Sequence, residues 1–176
     1  MKLVFIGYIS GPFGINGEVK IISESNHKED IFKIGNNLYI DNKKYIISSV
    51  KKNNKYEIIG FENINSIEKT NDILKKEVYV NTKELNIDDY LIGELLNMDV
   101  YEENIFIGKV TEVLYNKKYT YIRCNKLIIP LIDNYLKEVD LEKNIIYVKN
   151  IGELNENWCT YFISKYVWWF FNRIYY

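Results

Sequence analysis

Three glycines at a fixed spacing between two apolar runs constrain this chain more than any other feature. In residues 5–22, FIGYISGPFGINGEVKII, Gly11, Gly14 and Gly17 interrupt strand-like sequence, and Glu-Val-Lys follows them. Glycine lacks a Cβ and reaches positive φ, so the chain can turn tightly here and re-enter a sheet. The expectation is a barrel corner. The same residues spell G-x-x-G-x-x-G, but a phosphate cradle needs a helix behind the glycines whose N-terminus faces the phosphate. Residues 18–22 alternate like a strand instead, and no Gly-Lys-Ser/Thr is present.

At 176 residues the chain accommodates two small domains, each able to bury a core. Lys+Arg 23 against Asp+Glu 24 leaves a net charge of -1, so no overall basic field draws the protein onto phosphate backbones. The 16 Tyr accompany abundant Lys, Asn and Ile, a composition that AT-rich codons produce without selection for binding. Cys124 and Cys159 form no C-x-x-C pair, and the single His27 stands at no metal-ligand spacing from them, so neither a metal nor a disulfide framework is expected. The first apolar run breaks at Gly7, and no segment supplies the roughly 20 apolar residues of a membrane span. A cytoplasmic protein is expected, without membrane association or cofactor.

Short runs rich in Ile, Val and Tyr at residues 4–9, 17–22, 37–40, 44–50, 56–62 and 77–80 predict strands. Asp41-Asn42 and Lys52-Asn53-Asn54 suit hairpin turns, because Asn and Asp tolerate left-handed geometry. Residues 66–75 are a short helical candidate. Polar residues 81–89 predict a linker, and strands resume at 98–101, 106–115, 119–123, 126–129 and 144–148, with Asn116-Lys117-Lys118 as a turn and one helical turn at 132–136. The fold class expected is all-β: two small β-barrels joined by a short linker, with one or two short helices.

Gly7, Ile9, Gly14, Ile15, Gly17, Glu18, Val19 and Lys20 together resemble the amino-terminal signature of the RimM family, the ribosome maturation factors of bacteria. Where that family usually carries Thr-His or a similar polar pair, this chain has Pro12 and Phe13. GFENINSIEKTNDILKKEVYV resembles the family's approach to the last strand of the first barrel. MDVYEENIFIGKVTEVL, with Gly108 after a hairpin, and IIPLIDNYLKEVDLEKNIIYV resemble its carboxy-terminal PRC barrel. The resemblance covers residues 1–153 in separated blocks. It implies a RimM barrel at 1–83, a linker at 84–89 and a PRC-type barrel at 90–153.

The resemblance also implies a function. Family members open the second barrel with acidic residues and two tyrosines implicated in binding the small ribosomal subunit. This chain offers Asp88, Asp89, Tyr90, Leu91 and then Glu94, retaining the first tyrosine. The implied partners are small-subunit ribosomal protein nineteen and the immature small subunit, with an rRNA contact open, and the implied role is noncatalytic help with head assembly and rRNA processing by a monomer.

From the residues themselves, Tyr90 reads either as an exposed anchor or as a ring folded over the second barrel, and its acidic neighbours as a charged contact or a solvated linker. Phe13, Asn16, Glu18 and Lys20 form a candidate recognition edge beside the glycine corner. Gly7, Gly11, Gly14, Gly17 and Gly108 read as structural. Lys51, Lys52 and Lys55 make a small basic hairpin tip that could meet rRNA phosphate or simply keep an edge solvated. One His in a polar loop and no nucleophile setting predict no enzyme. The competing classes are an RNA-binding barrel module and a flavin-type barrel enzyme.

In the tail, residues 154–176, the composition turns abruptly aromatic from Trp158 to Tyr176, a stretch that resembles nothing in the family. Back-translated with AT-rich codons, with TGA at Trp158 and Trp168, and shifted by one nucleotide, Asn155 to Ile174 can yield a peptide resembling the start of a tRNA guanine-N1 methyltransferase. A translated gene overlap is the favoured reading, and TGG codons at both tryptophans would overturn it. No function is assigned to the tail.

Overall fold

The computed structural model describes residues 2–87, 89–115 and 119–154. The chain divides into two compact units that meet in sequence at Gly93 and Glu94. Tyr90 to Gly93 therefore stays with the first unit, where the sequence reading assigns it to the second.

In the first unit, β1 (Leu3–Phe13), β2 (Glu18–Ser23), β3 (Asn37–Ile40), β4 (Lys43–Lys52), β5 (Glu57–Phe61) and β6 (Glu77–Asn81) close into a barrel in the order β1-β2-β5-β4-β3-β6. Closure follows from β1, which pairs β2 on one side and β6 on the other. Its register shifts between Phe5 and Gly7 and again between Ile9 and Gly11, and such bulges bend a strand far enough to bridge the two. Gly7 serves the bend directly: a Cβ there would stand 2.1 Å from the Ile22 carbonyl oxygen. Alternate residues point inward, so Val4, Ile6, Ile9, Val19, Ile21, Leu38, Ile40, Ile59, Val78 and Val80 share one buried core.

The expected turn at Asp41-Asn42 carries two positive φ angles, 49° and 61°, the twist that a two-residue hairpin needs. The helical candidate at 66–75 condenses to α2 (Ile67–Thr70), and a second helix, α1 (Lys28–Ile31), lies in the long connection before β3. Four residues are too short for a helical periodicity to show in sequence.

The second unit holds β7 (Asp99–Glu102), β8 (Ile105–Tyr115), β9 (Thr120–Cys124), β10 (Leu127–Pro130), β11 (Leu136–Asp140) and β12 (Ile145–Val148) in a barrel-like six-stranded sheet, ordered β10-β9-β8-β7-β12-β11. All pairs are antiparallel except β7 with β12. Leu95, Met98, Val100, Val110, Ile122 and Ile146 are fully buried in this unit. β11 is not marked in the sequence; it follows the expected turn at 132–136, where the Tyr135 and Leu136 N–H groups both donate to the Ile132 carbonyl, at 2.9 and 2.7 Å. Its exposed Lys137 and Glu138 break the apolar alternation, as charged residues do on edge strands. The expected turn at 116–118 and the tail from residue 155 lie outside the described residues.

Candidate functional site

The polar segment that follows the first barrel is anchored from its start. Residues Thr82–Glu84 form a 3-10 turn, and the Glu84 carboxylate accepts from the Tyr39 hydroxyl at 2.7 Å and from the Asn37 amide at 2.7 Å. Farther along, the Asn26 amide nitrogen donates to the Tyr90 carbonyl at 2.8 Å, while its amide oxygen accepts from the Ile92 N–H at 3.0 Å. Between these bonds Leu91 is buried to 1% exposure in the first-barrel core. Ile92–Glu94 then form another 3-10 turn, in which Gly93 is required by close approach: a Cβ there would stand 2.6 Å from the Phe5 carbonyl oxygen.

Of the predicted contact residues, Asp89 is exposed and its carboxylate accepts from the Tyr90 N–H at 2.8 Å. Tyr90 is half-buried. Leu91 and Glu94 differ from the expected surface role, because both side chains are buried, Glu94 to 6% exposure. Apolar burial explains Leu91, whose removal from water contributes roughly 1.5–3 kcal/mol to holding the segment. Asp88 lies outside the described residues.

The glycine corner is a hairpin turn at residues 14–17 leading directly into β2, with no helix behind it. Gly14 and Gly17 adopt φ 64° and 81°, whereas Gly11 stands in β1 at a bulge with open space around it. Three of the four predicted edge residues come together. The Lys20 ammonium lies 5.9 Å from the Phe13 ring centroid and 5.4 Å from that of Tyr56, and the Glu18 carboxylate pairs with Lys51 at 2.9 Å while accepting from the Ser49 hydroxyl. Asn16 sits exposed at the turn, beside Ile15 at 78% exposure. Lys52 pairs with Glu29 at 2.7 Å, a bond that lowers the Glu29 pKa and raises that of Lys52. The basic hairpin tip is thus largely matched by acids of neighbouring elements. Gly108, at φ 153°, lets β8 pass Asn125 and Cys124, whose side-chain atoms would lie 2.6 and 2.9 Å from a Cβ.

Sequence reasoning missed Tyr56 and Asn26. Tyr56 is recognisable as a strand-start aromatic but not as a partner of Lys20. Asn26 sits in a polar turn and bonds a residue 64 positions on, so no local pattern marks it. Among the described residues no group of three or more His, Cys, Asp or Glu could hold a metal ion, and no helix is long and apolar enough to cross a membrane.

A closed six-stranded barrel followed by a barrel-like six-stranded sheet defines an all-β protein of two small domains joined by a short segment. A family model described as the RimM N-terminal domain matches residues 4–85. A ribosome maturation factor RimM from Ligilactobacillus salivarius (strain UCC118) is 32% identical over 168 residues, spanning 88% of this chain and 100% of the relative. Another, from Streptococcus mutans serotype c, is 29% identical over 170 residues, 89% of this chain and 99% of its own. The solution structure of the N-terminal domain of RimM from Thermus thermophilus aligns with 51% of this chain and 100% of its own, at 14% identity and a TM-score of 0.43. The chain belongs to the RimM family of ribosome maturation factors.

Proposed function

We propose that this protein assists assembly of the small-subunit head, and the rRNA processing that depends on it, by binding small-subunit ribosomal protein nineteen without catalysing a reaction. It acts in the cytoplasm as a monomer. One observation carries the contact surface: Tyr90 follows exposed Asp89 on a backbone bonded on both sides of a buried leucine, so a large amphipathic ring is offered to a partner at little cost in ordering. Exposed Asp89 adds an acidic group that favours encounter with a basic ribosomal protein. A factor of this kind works by differential affinity: binding a partly assembled state better than the finished one shifts the population and then releases the factor.

The test is calorimetric titration of the full chain with purified small-subunit ribosomal protein nineteen, beside Tyr90→Ala with its fold checked by circular dichroism. Saturable binding weakened by about 2 kcal/mol in the variant is expected, the size of an interface hot spot. A folded wild-type protein that does not bind overturns the direct contact. Direct rRNA binding through Phe13, Lys20 and Tyr56 is the second reading, favoured by the lysine between two rings. It requires binding to naked rRNA that falls steeply with salt.

A further inference from the structure

We propose that Asn26 is a positioning residue for the partner contact: its side-chain amide holds the backbone on both sides of Leu91 and thereby aims Tyr90 from the first barrel. This rests on the reading that Tyr90 touches the partner. The two bonds, to the Tyr90 carbonyl at 2.8 Å and from the Ile92 N–H at 3.0 Å, bracket one residue as the N–H and C=O of a single residue on a parallel strand neighbour do. The amide thus replaces a missing strand, and its polarity is fixed, because a carbonyl needs the NH2 group and an N–H needs the oxygen.

Two further contacts make this arrangement specific. Leu91, between the bonds, fills the core of the first unit. Gly93 passes so close to Phe5 that only a residue without a Cβ fits. Next to the clamp, His27 takes a left-handed conformation at the start of α1. Both bonds come from the first unit, although the second unit follows Tyr90 closely in the chain. Neither near substitute serves in place of Asn26. Aspartate would set a carboxylate oxygen against the Tyr90 carbonyl, and alanine would leave that carbonyl and the Ile92 N–H without this partner.

Two measurements on the full chain decide this. The first is amide exchange at Ile92, which should accelerate by about tenfold or more in Asn26→Ala while distant core amides such as Ile59 keep their protection. The second is a cycle of four proteins, wild type, Asn26→Ala, Tyr90→Ala and the double variant, titrated against small-subunit ribosomal protein nineteen. Asn26→Ala should weaken binding by about tenfold, and Tyr90→Ala in that background should cost about twofold or less, because a ring that is no longer aimed has little left to lose. Additive losses overturn the positioning role and leave the Tyr90 contact standing. Unchanged Ile92 exchange also overturns it. No binding by the wild type removes the contact and the positioning together, an outcome distinct from additivity. Should Asn26→Ala lose its fold, Asn26→Asp, which keeps the acceptor for Ile92 and removes the donor to Tyr90, carries the same cycle with the same expectations.

Discussion

Gly17 lies so close to Ile64 that a Cβ on it would stand 2.6 Å from the Ile64 carbonyl oxygen, and its φ of 81° is one that side chains rarely adopt. Two separate costs therefore meet at one position of the glycine motif. Gly17→Ala should destabilise the protein by about 2–4 kcal/mol, from backbone strain and overpacking together. Gly11→Ala, with open space around the site and no positive φ, should stay within about 1 kcal/mol of wild type. Urea midpoints of the two variants check this, and equal effects would remove the distinction.

Leu91 tests how firmly the segment before the second barrel belongs to the first. It is 1% exposed within the first-barrel core, so Leu91→Ala should cost about 2–5 kcal/mol of stability, the range for a buried leucine. The loss should be seen in denaturant unfolding with no partner present. A variant of unchanged stability would mean that Leu91 is not part of that core.

Glu84 gives the first barrel an acid dependence. Hydrogen bonds from Tyr39, first, and then Asn37 hold its carboxyl below the ordinary value of 4.5. A depressed folded pKa contributes stability that is present above the unfolded value and lost as pH falls through the folded one. Stability should therefore drop below about pH 4.5, and Tyr39→Phe should move the Glu84 titration upward toward its ordinary value. Carboxyl chemical shifts followed by NMR from neutral to acidic pH give the answer directly.

Cys124 is fully buried in the second unit, and burial raises its thiol pKa. Since the thiolate is the nucleophile, iodoacetamide should leave Cys124 unmodified in the native protein and modify it once denaturant opens the unit. Peptide mapping after a timed reaction reads the site. Fast native alkylation would contradict the packing of Cys124 against Gly108.

Local signals account for what can be read before folding. Alternation marks β2 and β6, where an apolar residue at every second position records which face is buried, while β3 and β5 are legible as short apolar runs between turn residues. The turn at Asp41-Asn42 is legible because left-handed backbone favours Asn and Asp. β11 is not legible, because an edge strand with exposed charges carries no such record. At the candidate site, the identity of Tyr90 stands out by its acidic surroundings, while its attachment does not.

By itself the sequence determined the all-β class, the placement of most strands, the glycine turn and membership of the RimM family. These depend on burial patterns and backbone preferences that act over a few neighbouring residues. Only the tertiary structure decided that β1 closes the barrel against β6, that β7 pairs β12 in parallel, and that Leu91 and Glu94 turn inward. It alone joined Asn26 to Tyr90, Lys20 to Tyr56 and Glu18 to Lys51. Partners chosen across tens of residues are selected by barrel closure and by the need to satisfy polar groups in three dimensions, and neither leaves a periodic trace along the chain.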